Sequence, residues 1–594
     1  MERDFFPEGK ALLRRILWNR GVRTTEEAHL FLDPKLKNFI QPHALLKDLD
    51  EALKILLKAR EQRQLVVIYG DYDVDGTTST ALLVRSFEEL GFHVEYFIPH
   101  RIEDGYGLNK KGGEKMLARY PNVKVVVTCD NGVGAFEGCE FLKAKGIQVI
   151  VTDHHEVPET RVSAAAVLNP KQKDCRYPEK RLAGVGVAFL LLMGLRRALN
   201  ATDYSLQPFL DLVSVGTVCD VAPLLGQNRI LVKAGLKKVL DSDFLGLRVL
   251  GRRAPNAQTE IKARDCGFFI GPRLNASGRI GHPEAGVKAL LARSMEDAVR
   301  YCDELEAQNA RRRQMQDEQL KEALQKVAKI FEKDPATSAF IVANSDFHLG
   351  IVGLIAGRVA EAFDRPACIL TRIDDEHELA FHKEAKALWK GSLRAPLGFH
   401  LANALEDIRK LDPTILKSGG GHAQAAGVAL DEDQLEKFQD SFLAAITAQA
   451  RQAVEIPVDG EIDDLDEMQG LFSILEPFGQ GNPAPMVRIR DVEWLRMRKM
   501  KEIHLKFWGL KSGKEFSVLQ FQSPWVTMME TWGGGARVLL DIVGEVSENV
   551  WNGRTTTELI LKDIVNVNIG GRVQDVRQQR SKTANALIES KSVS

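Results

Sequence analysis

The sequence predicts a multidomain α/β protein: a doubly wound parallel-sheet domain and a second α/β domain are joined by a long helix and followed by a C-terminal β-barrel. The first domain is predicted from short apolar runs that alternate with helical patterns at intervals of roughly 25 residues. The connecting helix is predicted from a charged segment that lacks glycine, and the barrel from many short strands at regular spacing.

Six segments are expected along the chain, because 594 residues exceed the size of one ordinary domain. We expect the N-terminal segment to pack against the first domain. The segments are an N-terminal helical segment at 1–50, the parallel-sheet domain at 51–293, the long helix at 294–335, the second α/β domain at 336–450, the barrel at 455–570 and a disordered tail at 571–594.

The composition is that of a globular protein, with 44% apolar residues, 27% charged residues and a formal net charge of -1. This net charge does not decide whether the protein binds nucleic acid, because the charges of acidic metal ligands and of a basic binding surface cancel in the sum. The seven cysteines are scattered without a C-x-x-C pair, which argues against a zinc ribbon or a disulfide framework. With no signal layout and no run near the ~18 apolar residues of a membrane span, we expect a cytoplasmic protein without membrane contact.

Three aspartates follow the first predicted strand at alternating positions. The apolar run from Leu65 to Tyr69 ends abruptly in Asp71, Asp73 and Asp75, at the carboxyl end of the sheet where open α/β sheets bind ligands. Carboxylates this close repel one another unless a cation lies among them, so the sequence predicts a divalent metal. An isolated D-x-D is more often a solvated turn that caps a helix. A calcium loop is excluded, because Leu82 stands where that loop needs a carboxylate.

Polar clusters also follow later strands of the same predicted sheet. Because parallel strands end at one edge, these side chains are expected to meet the first three aspartates. Carboxylates and imidazoles without thiolates suit Mn²⁺ or Mg²⁺. Singly, each residue has an ordinary alternative as a helix cap, a turn acid or a surface histidine, and only their convergence favours a metal site. They are Asp130, Asp153, His154, His155 and Asp220.

An ordered set of motifs resembles one known superfamily over nearly the whole chain. The resemblance is to the DHH phosphoesterases and, within them, to the RecJ-type single-strand exonucleases. It implies a DHH catalytic domain, a DHHA1-type substrate-binding domain and an OB-fold barrel. The motifs are Gly70-Asp-Tyr-Asp-Val-Asp-Gly76, Gly105-Tyr-Gly-Leu108, Cys129-Asp-Asn-Gly132, Asp153-His-His155, Asn169-Pro170, Ala183-Gly-Val-Gly186, Arg273-Leu-Asn-Ala-Ser-Gly-Arg279, Gly419-Gly-Gly-His-Ala-Gln-Ala-Ala-Gly427 and Pro477-Phe-Gly-Gln-Gly-Asn-Pro483.

The resemblance assigns roles to individual residues. The implied cofactor is Mn²⁺ or Mg²⁺, with two ions. The implied metal ligands are Asp73, Asp75, Asp130, His154 and Asp220. The implied catalytic residues are His155, Arg279 and Asp71. The implied substrate-binding residues are Arg101, Tyr106, Arg273, Asn275, Ser392, Arg394, Gly420, Gly421 and His422.

Two departures from the family pattern bear on these roles. Tyr69 stands where many relatives have a histidine, so Asp71 or water is expected to replace that ligand on the second ion. The family pattern near Ser392 is Gly-Ser-Gly-Arg-Ser, so Leu393 and Ala395 are expected to alter the grip on the nucleotide end.

Basic and aromatic residues interleave in the predicted barrel, a combination that binds single strands through charge and base stacking. The alternative is a barrel core with a solvated basic face, which accounts for about half of these residues. The residues are Arg488, Arg490, Arg496, Arg498, Lys499, Lys501 and Lys506, with Trp494, Phe507 and Trp508. On the long helix, the run Arg311-Arg-Arg313 is interpreted as a solvated face.

The resemblance implies a metal-dependent hydrolase that removes nucleotides from the 5′ end of single-stranded DNA in repair and recombination. A single-strand-binding protein and a helicase are the candidate partners, and a monomer is expected. One alternative is a phosphodiesterase for short oligonucleotides or cyclic dinucleotides, which the predicted barrel argues against. The other is a non-catalytic replication or repair scaffold, which the nearly complete set of acidic and histidine ligands argues against.

Overall fold

The computed structural model describes residues 11–255, 260–373, 387–451, 457–468, 470–500, 504–521, 529, 537–551 and 554–574. These residues form two compact units. In the first, the chain up to Gln308 folds together with the chain from Pro457 onward, and the second begins at Asn309 and contains the described residues up to 451. No helix in the described ranges combines the length and apolar character of a membrane span.

Two short helices, α1 Ala11–Asn19 and α2 Thr25–Leu32, open the first unit. Leu13, Ile16 and Leu17 of α1 are buried in the same core as the strands of the C-terminal barrel. The expectation that this segment packs against the parallel-sheet domain is therefore wrong for α1. Its amphipathic pattern indicates a buried face but does not say which domain buries it.

A five-stranded, all-parallel sheet follows in the order β2-β1-β3-β4-β5, which confirms the predicted doubly wound domain. The order changes direction between β1 and β3, so the loops after these two strands flank the switch point where such sheets bind ligands. The strands are β1 Leu65–Tyr69, β2 His93–Phe97, β3 Val123–Cys129, β4 Gln148–Thr152 and β5 Ala166–Leu168.

Helices surround this sheet and bury its valine-rich and isoleucine-rich strands in two apolar cores, as expected for parallel strands covered on both faces. A π-helical turn, Cys266–Ile270, leads into α12. The helices are α3 Leu49–Glu61, α4 Val74–Glu89, α5 Lys110–Arg119, α6 Phe136–Ala144, α7 Gly184–Ala198, α8 Leu210–Cys219, α9 Gly226–Leu236, α10 Leu245–Arg252, α11 Ala263–Asp265, α12 Gly271–Ile280 and α13 Ala285–Leu291.

The long helix and the second α/β domain are also confirmed. Helix α14, Met295–Lys333, is one helix of 39 residues. The sheet of the second unit has the order β6-β7-β8-β10-β9, in which only β6 and β7 are parallel. Its elements are β6 Phe340–Ala343, α15 Val352–Phe363, β7 Ala367–Ile373, β8 Leu388–Arg394, α16 Leu401–Leu411, β9 Ser418–Gly421, β10 Ala425–Asp431 and α17 Leu435–Ala448.

The C-terminal barrel is closed by five strands in the order β12-β13-β14-β16-β15, with β15 pairing back to β12. This closure confirms the predicted OB-fold. Strand β17 lies where the tail was expected to be disordered, and the rest of that expected tail lies outside the described residues. The elements are β11 Gly460–Glu461, α18 Leu471–Leu475, β12 Met486–Met500, β13 His504–Lys511, β14 Lys514–Gln520, β15 Val538–Trp551, β16 Arg554–Ile569 and β17 Arg572–Gln574.

A buried acid at the start of α8 makes the stability of this unit depend on pH. Burial raises the pKa of Asp211 to about 7, although the Ser242 side chain and the Leu212 N–H (2.6 Å) bond its carboxylate. A raised folded-state pKa means that the stabilising contribution is complete below the unfolded value of 3.8 and is lost as pH rises through about 7. Asp211→Asn should therefore stabilise the fold more at pH 8 than at pH 5, by roughly 2 kcal/mol.

Thermal unfolding of the metal-free protein at both pH values would measure this difference. Asp203→Asn is the matched control, because Asp203 is an exposed acid eight positions before Asp211. An equal shift in Tm at pH 5 and pH 8 for Asp211→Asn would show that this carboxyl is already ionised at pH 5 in the folded state, so that its pKa is not raised to about 7.

Candidate metal centre

The loops after β1, β3 and β4 meet the C-terminal end of α8 at one edge of the parallel sheet. They bring together three groups of potential metal-ligating atoms, and within each group the atoms lie within 4.8 Å of one another. All of these residues belong to the set singled out in the sequence. The groups are Asp130, His154 and His155; Asp75, His154 and Asp220; and Asp71, Asp73 and Asp130.

The first acidic loop is shaped by two helix N-termini. Asp73 caps α4, and its Oδ1 accepts a hydrogen bond from the N–H of Gly76 at 2.9 Å. Asp75 is buried, and its carboxylate accepts from the N–H groups of Gly184 (2.6 Å) and Val185 (2.8 Å) at the start of α7. Unpaired N–H groups at a helix start favour a carboxylate. The Ala183-Gly-Val-Gly186 motif thus positions Asp75, a role that the sequence analysis did not assign.

Asp130 occupies the tight turn after β3. Its φ of 60° lies in the left-handed region, which Asp and Asn tolerate better than other side chains. Its N–H donates to the carbonyl of Thr152 at 3.0 Å. The next residue, Asn131, donates from Nδ2 to the carbonyls of Tyr69 (3.3 Å) and Cys129 (2.8 Å). Asn131 therefore ties together the two loops at the switch point.

The two adjacent histidines have different partners. The Nε2 of His154 lies 3.1 Å from Asp130 Oδ1, 3.7 Å from Asp220 Oδ2 and 4.0 Å from Asp75 Oδ2. The Nδ1 of His155 instead bonds Asp153 Oδ1 at 2.7 Å. His154 therefore faces the carboxylates, whereas Asp153 holds the ring of His155. Carboxylate-to-histidine pairs of this kind orient functional imidazoles.

Burial and neighbouring charges shift the pKa values of the cluster residues. Burial, followed by the charge of Asp73, raises the pKa of Asp75 to about 7 and that of Asp71 well above its usual value. Burial, followed by Asp75, likewise raises the pKa of Asp130 and brings that of Asp220 to about 9. Burial and then the charge of His155 lower the pKa of His154 to about 4, so its imidazole is neutral. A bound cation would reverse the shifts of the acids.

Three buried atoms of the cluster have no hydrogen-bond partner among the described residues: Asp71 Oδ1, Asp130 Oδ1 and His154 Nε2. A buried polar atom left without a partner costs about 1–3 kcal/mol. Metal coordination would satisfy all three at once. Because every donor is a carboxylate oxygen or an imidazole nitrogen, the residues fit a hard or borderline divalent ion such as Mg²⁺ or Mn²⁺.

Tyr69 does not contribute to any of the three groups. Its side chain is completely buried, its hydroxyl donates to the carbonyl of Gly107 at 3.2 Å, and its ring packs against Phe97 with centroids 5.3 Å apart. Asp71 shares a group with Asp73 and Asp130. This placement agrees with the prediction that Asp71 replaces the family histidine, which stays a prediction.

Arg101, Tyr106 and Arg279 lie beside the acidic cluster. The guanidinium of Arg101 is 5.0 Å from the ring of Tyr72, a residue that stands between two of the aspartates. The charges of Arg101 and Arg279 both act on the Tyr72 hydroxyl, which places the two arginines near the same loop. The Tyr106 hydroxyl donates to the Asp130 carbonyl at 3.2 Å and lies 3.4 Å from His155 Nε2. These three residues therefore lie near the loops that carry the candidate metal ligands.

Arg273 lies on the same helix as Arg279 but has a different environment. Its guanidinium is buried, donates to both carboxylate oxygens of Glu306 and to the Phe269 carbonyl (2.9 Å), and lies 3.4 Å from the Phe269 ring. This environment argues against the predicted substrate contact of Arg273, because its charge is already neutralised inside the fold. Asn275 is half-buried on this helix and belongs to none of the three groups.

In the second unit, the predicted binding residues lie on neighbouring strands. Ser392 on β8 pairs with Gly427 on β10, which pairs in turn with Gly420 on β9. Arg394 donates to Ser392 Oγ at 2.7 Å, so the two side chains share one face of β8. Leu393 points to the opposite face and is fully buried in the core. This departure from the family pattern is therefore a core residue rather than part of the binding face.

The glycine-rich strand β9 ends in a tight turn. Gly421 has a φ of 151°, and a Cβ there would lie 2.4 Å from the Ala425 carbonyl oxygen, so the position requires glycine. His422 is exposed, and its N–H donates to that same carbonyl at 2.8 Å. The turn thus presents His422 and the backbone of Gly420 and Gly421 to solvent.

Much of the predicted basic surface of the barrel is neutralised by ion pairs. Phe507 is completely buried, so the core alternative is right for this residue. Trp508 is half-buried, with the Arg496 guanidinium 4.6 Å from its ring. Lys501 lies outside the described residues. The pairs are Arg488 with Asp541 (2.8 Å), Arg490 with Glu461 (2.8 Å), Arg496 with Glu515 (3.0 Å) and Lys506 with Glu558 (3.0 Å).

The sheet and its acidic edge define a metal-dependent phosphoesterase of the DHH class. Family models confirm this class along the chain. The DHH family N-terminal domain matches residues 65–217, the DHHA1 domain matches 336–448 and the RecJ OB domain matches 461–563.

Similarity to individual proteins identifies the family within the DHH class to which this chain belongs. The single-stranded-DNA-specific exonuclease RecJ of Escherichia coli (strain K12) is 34% identical over 590 residues, which cover 96% of this chain and 95% of the relative. Its counterpart in Haemophilus influenzae is 36% identical, over 80% of this chain and 82% of the relative. The crystal structure of RecJ from Thermus thermophilus in complex with Mn²⁺ superposes with a TM-score of 0.75 at 30% identity, covering 93% of this chain and 75% of that one. This chain belongs to the RecJ family.

Proposed function

We propose that this protein is a metal-dependent exonuclease that removes nucleotides from the 5′ end of single-stranded DNA. The observation that carries the proposal is the convergence of five acidic side chains and two imidazoles from four separate segments on one edge of the parallel sheet. The relatives are named as single-stranded-DNA-specific exonucleases, and they match this chain through all three of its domains.

The metal ligands in this proposal are Asp73, Asp75, Asp130, His154 and Asp220, with Asp71 in place of the family histidine. The three overlapping groups provide enough ligand atoms for two ions of Mn²⁺ or Mg²⁺. RecJ of Thermus thermophilus has been crystallised with either ion. A divalent ion at this site would activate a water and stabilise the charge that develops on the scissile phosphate.

His155 is suited to hold and transfer a proton. Burial by itself lowers its pKa, but the hydrogen bond and the charge of Asp153 outweigh burial and raise the pKa. Because its Nδ1 bonds Asp153, the other ring nitrogen, Nε2, can carry a proton toward the leaving oxygen of the phosphodiester. Tyr106 lies 3.4 Å from this Nε2 and can orient the ring.

Arg101 and Arg279 are proposed to bind phosphate oxygens, because an arginine fork matches two oxygens at once. In the second unit, Ser392, Arg394 and the backbone of the Gly420–His422 turn are proposed to bind the nucleotide end. Glycine has no side chain, so a phosphate can approach the backbone of Gly420 and Gly421 closely. Arg273 is not part of this proposal.

The direct test uses strands that carry a label at either the 5′ or the 3′ end, in single-stranded and duplex form. We expect a 5′ label to be released at once as a mononucleotide from single strands, with Mn²⁺ or Mg²⁺ and not with a chelator. Duplex DNA of the same sequence should be degraded far more slowly. Early release of the 3′ label, or equal cleavage in chelator, would refute the proposal.

The closed barrel favours long strands over the alternative of short oligonucleotides or cyclic dinucleotides. The same assay should include a dinucleotide, and a higher kcat/KM for the dinucleotide than for the long strand would favour the alternative. Deleting the barrel is a poor test, because α1 shares the barrel core and would lose its packing.

We also propose that the protein is cytoplasmic, which the seven free cysteines support, and that it acts as a monomer. A single-strand-binding protein and a helicase are the proposed partners of a nuclease that needs single-stranded ends. Co-sedimentation of the purified proteins without DNA would test each pairing.

A further inference from the structure

The chain reverses direction immediately after Asp220. Asp220 is the C-cap of α8, and the next residue, Val221, adopts a left-handed φ of 61° and is 64% exposed. The N–H of Val221 donates to the Val218 carbonyl and that of Ala222 to the Thr217 carbonyl, each at 3.2 Å. This pair of hydrogen bonds is a common C-terminal capping motif of helices, but glycine usually occupies the left-handed position in it. A β-branched residue there is strained, so contacts farther along must hold the turn.

Those contacts come from the loop Pro477–Pro483 of the barrel domain, which we call the clamp loop. The N–H of Leu224 donates to the Gln480 carbonyl at 2.8 Å. The Leu224 side chain is buried against Gly479, where a Cβ would lie 2.7 Å from Leu224 Cδ1. A Cβ at Gly481 would lie 3.2 Å from the Cβ of Pro223. The clamp loop therefore packs directly on the residues that follow the turn.

The clamp loop is itself held by a completely satisfied buried amide. Asn482 is fully buried, and its Nδ2 donates to the carbonyls of Leu475 and Pro477, both at 2.8 Å. Its Oδ1 accepts from Arg20 Nε at 2.7 Å. Arg20 also pairs with Asp459 at 3.1 Å inside the fold. A buried network of this kind gives the loop one defined conformation.

A second buried arginine holds the other end of the segment that follows the turn. Arg229 on α9 is 1% exposed and donates to the carbonyls of Phe31 (2.7 Å), Ile474 (3.1 Å) and Glu476 (2.9 Å). The segment from Asp220 to Arg229 is therefore fixed to the barrel domain at both the clamp loop and the residues just before it.

We propose that the clamp loop is a positioning element for the metal centre. By holding Pro223–Leu225 it maintains the strained turn, and the turn keeps the Asp220 carboxylate 3.7 Å from His154 Nε2. The barrel domain thus acts on catalysis through Asp220 as well as through any contact with DNA. The inference rests on the proposed function of Asp220 as a metal ligand.

The test compares two glycine substitutions with the same backbone cost. Gly481 and Gly470 have φ values of 73° and 75°, but a Cβ at Gly470 meets nothing within 4 Å, whereas one at Gly481 meets Pro223 and Leu225. We expect Gly481→Ala to weaken Mn²⁺ binding to the metal-free full-length protein by about 10-fold relative to Gly470→Ala. The kcat should fall with it, while KM for a long single strand stays unchanged.

Mn²⁺ binding is measured by titration calorimetry, and Tm is measured for both variants. Equal Mn²⁺ affinities for Gly481→Ala and Gly470→Ala would overturn the inference. Asp220→Ala distinguishes the proposed role of Asp220 as a metal ligand from the proposed role of the clamp loop. If Asp220→Ala does not weaken Mn²⁺ binding, the ligand role of Asp220 is wrong. If Asp220→Ala weakens Mn²⁺ binding but Gly481→Ala does not, only the positioning role of the clamp loop is wrong.

A second pair of variants keeps the test valid if Gly481→Ala does not fold. The methyl group of Gly479→Ala meets only Leu224. In the Leu224→Ala background, Gly479→Ala should no longer weaken Mn²⁺ binding, because the Leu224 side-chain atoms that the methyl group would meet are absent. A loss of affinity from Gly479→Ala that is the same in both backgrounds would also overturn the inference.

Discussion

Replacing Asp130 with asparagine should lower kcat for single-strand cleavage by about 10³-fold or more. Asp130 belongs to two of the three ligand groups, and its Oδ1 is 3.1 Å from His154 Nε2. Asparagine preserves the shape of the side chain and tolerates the left-handed φ of 60° at this position. The loss would therefore report the missing charge rather than a changed loop.

Metal titration and thermal unfolding complete this experiment. We expect Asp130→Asn to weaken Mn²⁺ binding and to leave the Tm of the metal-free protein at or above that of the wild type, because removing one of several crowded carboxylates relieves repulsion. Asp130→Ala is a less suitable variant, since alanine adds backbone strain at a positive φ. Cleavage by Asp130→Asn at the wild-type rate would eliminate this residue from the metal centre.

The second large effect is expected at Arg279, whose replacement by alanine should lower kcat by about 10²-fold. Arg279 lies near the Asp71–Asp73 loop, because its neighbour Gly278 packs closely on the Tyr72 carbonyl. An arginine at this point can stabilise the charge of the transition state. An increase in KM with unchanged kcat would instead assign Arg279 to ground-state binding of the strand.

Arg273 on the same helix is the matched control. Arg273 has a buried ion pair with Glu306 and contacts Phe269, so the main effect of Arg273→Ala should be a lower Tm rather than a lower kcat. The main effect of Arg279→Ala should instead be a lower kcat, with little change in Tm. If Arg273→Ala lowers kcat as strongly as Arg279→Ala without a change in Tm, Arg273 contacts the substrate despite its ion pair.

The parallel sheet and its acidic edge could be predicted from the sequence because the information is local. A buried apolar run followed by aspartates specifies both a strand and the position of its carboxylates, and parallel order places such loops together. The same reasoning could not anticipate the environment of Arg273, because its partner Glu306 lies 33 residues away on a helix whose packing no local pattern reveals.

The barrel shows a second limit of sequence reasoning. Basic residues in β12 and β13 predict a positive surface, but the closure of the barrel decides which acids they meet. Arg488 meets Asp541 of β15, and Lys506 meets Glu558 of β16. Leu393 is a similar case in the second unit, since alternation along β8 places it in the core, away from Ser392 and Arg394. Residue type alone could not decide either outcome.

The burial of α1 in the barrel core has a consequence for how the protein is made. Arg20 pairs with Asp459, which is 439 positions later in the chain. At about 5–20 residues per second, the ribosome supplies that partner roughly 20–90 s after α1 has been synthesised. Throughout this interval Leu13, Ile16 and Leu17 have no barrel strands to cover them. Helix α1 is thus among the last elements to reach its native contacts, and a stalled or shortened translation product that lacks the barrel would leave it exposed to proteases and to aggregation.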